Sequence, residues 1–440
     1  MTRITKLRAA ILGACAVVVL GVGALPPAAA APMEITITKS ADHPLPIAIV
    51  PFDAGGATLP ENVAEVIRSD LGRSGRFAPM PFADLPTHPS DVSQVNFKDW
   101  SIVHMDYLVI GRVTPGGDGN YTVEFRLMDT LGGKQIAGFQ IPTSAANMRL
   151  TAHSISDLIY EALLKIKGAF ATRIAYVTVE KRDAKTRIAR LQVADSDGYG
   201  ARTILESQQP LMSPAWSPDG NQLAYVSFED QNSAIYIQDI RTGQREKIMS
   251  GSGINSSPAF SPDGGRLAIT LSRDGNPEIY VLEVASKRLT RITTNEAIDT
   301  EAAWAPDGQS LVFTSDRGGG PQIYRVSAGG GTPQRVTFNM GNYNARASFS
   351  PNGKQLVMVT GGSGFRIAVL DLATGASQVI TNASLDESPS YAPNGSMIMY
   401  ATMGPRGAEL AATSTDGRVK QRLALQVGEV REPAWGPYRK

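Results

Sequence analysis

One phrase returns along the second half of the chain: PAWSPDG from Pro214, PAFSPDG from Pro258, AAWAPDG from Ala302, ASFSPNG from Ala347 and PSYAPNG from Pro389. A broken copy, PAWGPYRK from Pro433, ends the sequence. The second proline of each copy falls at Pro218, Pro262, Pro306, Pro351, Pro393 and Pro437, giving spacings of 44, 44, 45, 42 and 44 residues. A period of about 40–45 residues belongs to propellers and arrays, whose units cannot bury their faces alone. Proline fixes φ, Asp or Asn tolerates the turn, and Gly takes positive φ, so the phrase encodes a tight hairpin. An apolar strand follows each turn (QLAYVSF, RLAITLS, SLVFTSD, QLVMVTG, MIMYATM). A second strand then opens on Ile-Tyr in three units, at Ile235, Ile279 and Ile323, and a turn such as Ala373-Thr374-Gly375 leads to another. Four short strands per unit predict a propeller blade; a solenoid would need capping ends that the sequence does not show.

The blade number follows from one unmatched strand. RIAYVTVEKR, from Arg173, resembles the strands that follow each turn but has no phrase before it. If PAWGPYRK pairs beside it, the terminal residues become the innermost strand of the first blade, and residues 170–440 close as a six-bladed ring without open edges.

Residues 31–165 carry another pattern. PIAIVPF and DYLVIGRV read as strands, and YTVEFRLMDT with GGKQIAGFQI reads as a hairpin. Val63, Val66, Ile67 and Leu71 share one helical face; Leu158, Ile159, Ala162, Leu163 and Ile166 share another, with Gly72 and Gly168 as expected helix ends. The fold class is therefore an N-terminal α/β domain with mixed sheet, a short junction, and an all-β propeller.

Before this domain, Arg3, Lys6 and Arg8 precede an uncharged run from Ala9 to Leu25 and then PPAAAAP. That is the order of a secretory signal over residues 1–30, cleaved after Ala30. The alternatives are a retained anchor, for which the run is near the lower length limit, and a lipoprotein signal at Leu12–Cys15, past which the apolar run continues. Cleavage removes three of 42 basic residues, leaving 39 against 41 acidic, and removes Cys15, the only cysteine. No basic field argues for nucleic acid, and the exported chain has no thiol with which to form a disulfide.

Catalytic signatures are scarce. His43, His88, His104 and His153 all precede the propeller and show no metal-ligand spacing, so they read as solvated or structural. The ring has neither His nor Cys, which excludes His-dependent triads and His/Cys zinc sites there, and no G-x-S-x-G elbow occurs. Polar residues do precede each innermost strand: Met212-Ser213, Asn255-Ser256-Ser257, Asp299-Thr300-Glu301, Asn344-Ala345-Arg346, Asp386-Glu387-Ser388 and Arg431-Glu432. A ring brings these loops to one mouth of the channel, where they would bind a cation, a sugar or a protein loop, or simply face solvent.

LMSPAWSPDG, KGAFATRIAYV, LDESPSYAPNG, the terminal REPAWGPY and VIGRVTPGGDGNYTV together resemble the TolB family, periplasmic propeller proteins of the Tol-Pal envelope system of Gram-negative bacteria. The resemblance implies a non-enzymatic adaptor without cofactor or metal, supporting outer-membrane integrity and constriction during division. It implies that the mouth binds the peptidoglycan-associated lipoprotein Pal through Met212, Asn255, Ser257, Asp299, Thr300, Glu301, Arg346, Asp386 and Glu387. Ile254 and Ser257 depart from the histidine and alanine of some relatives. The tail Met33-Glu34-Ile35-Thr36-Ile37-Thr38-Lys39 is implied to engage TolA of the inner membrane. Physically, its alternation suits either a free strand that pairs with a partner's edge or a strand folded onto its own domain. The competing reading is a secreted lyase or glycoside hydrolase using Asp299, Glu301 and Glu387, and a third is a metal-stabilised channel.

Overall fold

The helical stripes and alternating runs fold as a sheet with helices on both faces before the repeats begin. The computed structural model describes residues 33–39, 43–183, 186–405, 407–425 and 428–439; the expected leader, with Cys15, lies outside the described residues. The first part contains β1 (Met33–Lys39), β2 (Leu45–Ile49), α1 (Val63–Arg73), β3 (Phe77–Pro79), α2 (Phe97–Ile102), β4 (Tyr107–Pro115), β5 (Asn120–Asp129), β6 (Lys134–Ser144) and α3 (Met148–Leu164). Five of these strands form a sheet in the order β3-β2-β4-β5-β6. Its β2 pairs are parallel, and β4–β5 and β5–β6 are antiparallel, so the sheet is mixed as expected. The stripes of α1 and α3 pack on one face against Ile47, Ile49, Val109 and Phe125; Trp100 of α2 packs with Ala48, Leu108 and Ile110.

Both glycines expected to end helices act otherwise. Gly72 lies within α1, facing Pro79, and the chain turns instead at Gly75, whose φ is +65°. A Cβ there would lie 2.5 Å from Val419 of the propeller, so Gly75 is also a point of close domain approach. Helix α3 stops at Leu164 with Lys165 in the left-handed conformation, which leaves Ile166 beyond the helix and exposed. Gly168 passes close to Asp157, whose carboxylate accepts the amides of Phe170 at 2.7 Å and Ala171 at 3.2 Å and pins the short junction.

The repeats form six sheets around a channel, blades 1 to 6, whose innermost strands are Glu429–Trp435, Leu211–Trp216, Asn255–Phe260, Asp299–Trp304, Tyr343–Phe349 and Glu387–Tyr391 in that order, and the terminal copy closes the ring. Glu429–Trp435 is the innermost strand of blade 1, antiparallel to Arg173–Lys181, with Trp435 opposite Ile174 and Arg431 opposite Val177. Trp435 donates its backbone amide to Ser390 Oγ of blade 6 and its indole N–H to Thr172 Oγ1, both at 2.9 Å. The turns also link the blades. A Cβ on Gly264, Gly308, Gly353 or Gly395 would lie 3.4–3.7 Å from the turn proline of the preceding blade, and one on Gly220 would lie 3.3 Å from Pro437. The terminal proline therefore completes a chain of contacts between successive turns.

Each innermost strand runs from the channel mouth to its Pro-Asp/Asn-Gly turn, and the N-terminal domain sits at the turn end. Asn394, in the turn of blade 6, donates to the Lys167 carbonyl at 2.9 Å, and Arg149 of α3 meets Asp197 of blade 1 at 2.5 Å. Among the described residues the opposite mouth is uncovered.

Strand β1 corrects one expectation. It does not join its own domain; it pairs antiparallel with Lys420–Leu425 as the fifth strand of blade 6, Met33 opposite Leu425 and Ile37 opposite Gln421. The outermost strand of a blade presents unpaired backbone groups, and this alternating segment satisfies them. The register places Met33 at the mouth end of the blade and Lys39 at the end beside the N-terminal domain.

Candidate docking site at the channel mouth

The six innermost strands share one irregularity. Register shifts fall at the same place in each, between Met212 and Ala215, Ser256 and Ala259, Thr300 and Ala303, Ala345 and Ser348, Glu387 and Ser390, and Arg431 and Ala434. Each bulge holds a non-glycine residue at positive φ: Ser213, Ser257, Glu301, Arg346, Ser388 and Glu432, all between 50° and 57°. Left-handed backbone costs a non-glycine residue about 1–2 kcal/mol, and a bulge re-aims its side chain. All six line a central cavity of about 470 Å³.

Arg346 occupies the middle of this ring. Its Nη1 donates to Ser388 Oγ of blade 6 at 2.8 Å and its Nη2 to Glu432 Oε2 of blade 1 at 2.8 Å, while Nε lies 3.4 Å from Glu301 Oε1 of blade 4. Its backbone amide donates to Glu301 Oε2 at 3.1 Å, and Thr314 Oγ1 donates to the same oxygen at 3.1 Å. Burial raises the Glu301 pKa above the usual carboxylate value, and the guanidinium opposes that rise. Burial would depress the Arg346 pKa, but Glu432 and Glu301 outweigh it and raise it.

Two residues before each bulge the side chain turns into the wall. Asn255, Asp299 and Asp386 are at most 3% exposed, which corrects the expectation that they present side chains to a partner. Asn255 Nδ2 donates to the Ser233 carbonyl at 3.0 Å, Asp299 Oδ2 accepts from Arg317 Nη2 at 2.6 Å, and Asp386 Oδ1 accepts from Thr402 Oγ1 at 2.6 Å. They brace the loop between strands, and burial raises the pKa of both aspartates. Met212 and Glu387 are exposed, Ser257, Glu301 and Arg346 are half-buried around the cavity, and Thr300 is half-buried outside its lining. Of the carboxylates of the enzyme reading, Asp299 is buried on Arg317, Glu301 is held by Arg346, and Glu387 is exposed.

An apolar rim, of which the sequence singles out only Met212 and Ile254, surrounds this centre. Three residues before the bulges of blades 3, 4 and 6 stand Ile254, Ile298 and Leu385, 47%, 49% and 41% exposed, with half-buried Tyr343 at the same position in blade 5, while Pro210 and Glu429 stand there in blades 2 and 1. Met212 adds a fourth large apolar side chain at the mouth, 41% exposed. Its sequence signal is one apolar position that recurs in four of the six loops beside polar neighbours. A polar centre in which one arginine holds two carboxylates, ringed by exposed apolar side chains, has the make-up of a protein-docking surface.

Comparisons with known proteins agree with that class. Residues 33–136 match the family model described as the TolB amino-terminal domain, and residues 160–439 match the TolB beta propeller domain. The Tol-Pal system protein TolB of Thioalkalivibrio sulfidiphilus is 56% identical over 418 residues, covering 94% of this chain and 96% of that protein. Its counterpart in Nitrosococcus oceani is 57% identical over 412 residues, covering 93% and 95%. The crystal structure of TolB from Acinetobacter baumannii superimposes with a TM-score of 0.85 at 41% identity, over 92% of this chain and all of that one. The chain belongs to the TolB family and is a component of the Tol-Pal system of the cell envelope.

Proposed function

We propose that the protein is a non-enzymatic periplasmic adaptor, exported by residues 1–30, whose channel mouth docks Pal and whose tail engages TolA. The exposed apolar rim around the Arg346 centre carries this reading, because protein interfaces combine a desolvated apolar patch with polar groups already satisfied. Met212, Ile254, Ile298, Leu385 and Glu387 form the contact face; Ser257, Thr300, Glu301 and Arg346 shape its centre; and Asn255, Asp299 and Asp386 support it from beneath. The tail Met33–Lys39 serves TolA by strand addition, since the backbone groups that pair with blade 6 suit a partner's sheet edge equally. Through these two contacts the protein links the outer and inner membranes and supports envelope constriction during division.

Deletion of residues 33–39 followed by pull-down with purified TolA and Pal tests the division of labour. TolA capture is expected to disappear while Pal capture persists. Retained TolA capture would remove the tail from the account.

A further inference from the structure

The single buried histidine lies where the two domains meet. His153 of α3 is fully buried, its Nδ1 2.7 Å from Asp70 Oδ2 of α1 and its Nε2 3.7 Å from Asp197 Oδ2 in the turn after the third strand of blade 1. Nε2 has no hydrogen-bond partner. A neutral ring that donates Nδ1–H to Asp70 aims its remaining lone pair toward the Asp197 carboxylate, whereas an imidazolium presents N–H to both acids.

The surroundings favour the charged ring. From α1 come Asp70 and Arg73, which pair at 3.1 Å, and from α3 come Arg149 and Asp157. The propeller supplies Asp197 and the Ser196 hydroxyl, which takes a 2.9 Å bond from Arg73, and the loop before α1 supplies Glu61, 3.0 Å from Arg149. Asp70, Asp197, Asp157 and Glu61 thus face Arg73 and Arg149, leaving an excess of acid around the ring. Burial works against the His153 charge, but Asp70 and Asp197 outweigh it and hold the pKa above the usual histidine value. Burial likewise pushes the Asp157 pKa up to about 6.

Asp70, His153 and Asp197 also have ligand atoms within 4.8 Å of one another. A metal ion is the weaker reading of that cluster: the acids face different ring nitrogens, and each already has an arginine partner.

We propose that His153 is a proton-operated latch between the domains: as imidazolium it bridges Asp70 of the N-terminal domain and Asp197 of the propeller, and on releasing its proton to solvent it keeps only the bond within its own domain. Because the folded-state pKa is raised, this contribution is complete below the ordinary histidine value of about 6.5 and is lost as pH rises through the folded value.

Spin labels at Lys98→Cys in the N-terminal domain and Arg241→Cys in blade 2, in a Cys15→Ser background, report domain docking by pulsed electron resonance. In the otherwise native protein the distance distribution is expected to be narrow at acid pH and to broaden as pH rises. His153→Gln, which cannot carry the proton, is expected to lose that pH dependence. Histidine-selective NMR of the unlabelled protein is expected to show one ring, absent from the His153→Gln spectrum, titrating above the other three. The same pH response in both proteins, titration of His153 at or below the others, or stoichiometric zinc binding abolished by His153→Gln would overturn the latch.

Discussion

Arg346 of the fifth blade reaches across the channel to Glu432 of the first, 2.8 Å away, so the strand at the very end of the chain and the middle of the repeat array share one charge pair. The same guanidinium faces Glu301 of the fourth blade at 3.4 Å. The ring is therefore fastened at its centre as well as through its neighbouring blades.

Replacing Arg346 with Met leaves Glu301 and Glu432 facing one another without their cation. A loss of about 1–3 kcal/mol is expected, because the groups are partly buried yet keep some access to solvent. Removing the guanidinium lifts the already raised Glu301 pKa further, so the deficit grows as pH rises through the carboxylate range and shrinks at pH of about 4–5. Melting temperatures of the two proteins across pH check the sign; a deficit independent of pH would contradict it.

Asp299 gives a contrasting expectation. It is fully buried against Arg317 at 2.6 Å, so Asp299→Ala should cost about 3 kcal/mol by leaving the arginine without its partner. Denaturant unfolding measures this, and an unchanged midpoint would show that the buried pair does not brace the loop.

Removal of Pro433–Lys440 takes away part of the first blade's innermost strand, both Trp435 hydrogen bonds and the Pro437 contact with the turn of blade 2. The expected result is a ring open between blades 6 and 1, with amide exchange rising first in Arg173–Lys181. Native-like protection of that strand in the truncated protein would refute closure by the terminal copy.

The architecture was legible because the repeat fixes it twice over: regular proline spacing sets the blade, and the unmatched strand at Arg173 needs the unmatched phrase at Pro433. The site was less legible. Sequence order places Asn255-Ser256-Ser257 and Asp299-Thr300-Glu301 in the right loops, but the bulge breaks the alternation that would put residues two apart on one face, so Asn255 and Asp299 enter the wall while Ser257 and Glu301 reach the channel. Polarity alone does not report where a bulge falls, so Asn255 and Asp299 look like contact residues in sequence, and Ile298 and Leu385 do not stand out beside their polar neighbours. The histidines were read as a group, yet His43, His88 and His104 are exposed and only His153 is buried. Its partners Asp70 and Asp197 lie 83 and 44 residues away, a separation no local pattern reports.

The docking face is tested most directly by calorimetric titration of purified Pal into the native protein and into an Ile298→Asp, Leu385→Asp double variant. These side chains are about half exposed and bury little against the fold, so the variant should melt near the native temperature. Desolvated apolar anchors at an interface cost more than 1 kcal/mol each when lost, and the variant should bind Pal at least about tenfold more weakly. Native affinity in a folded double variant would contradict the assignment of Pal to the channel mouth.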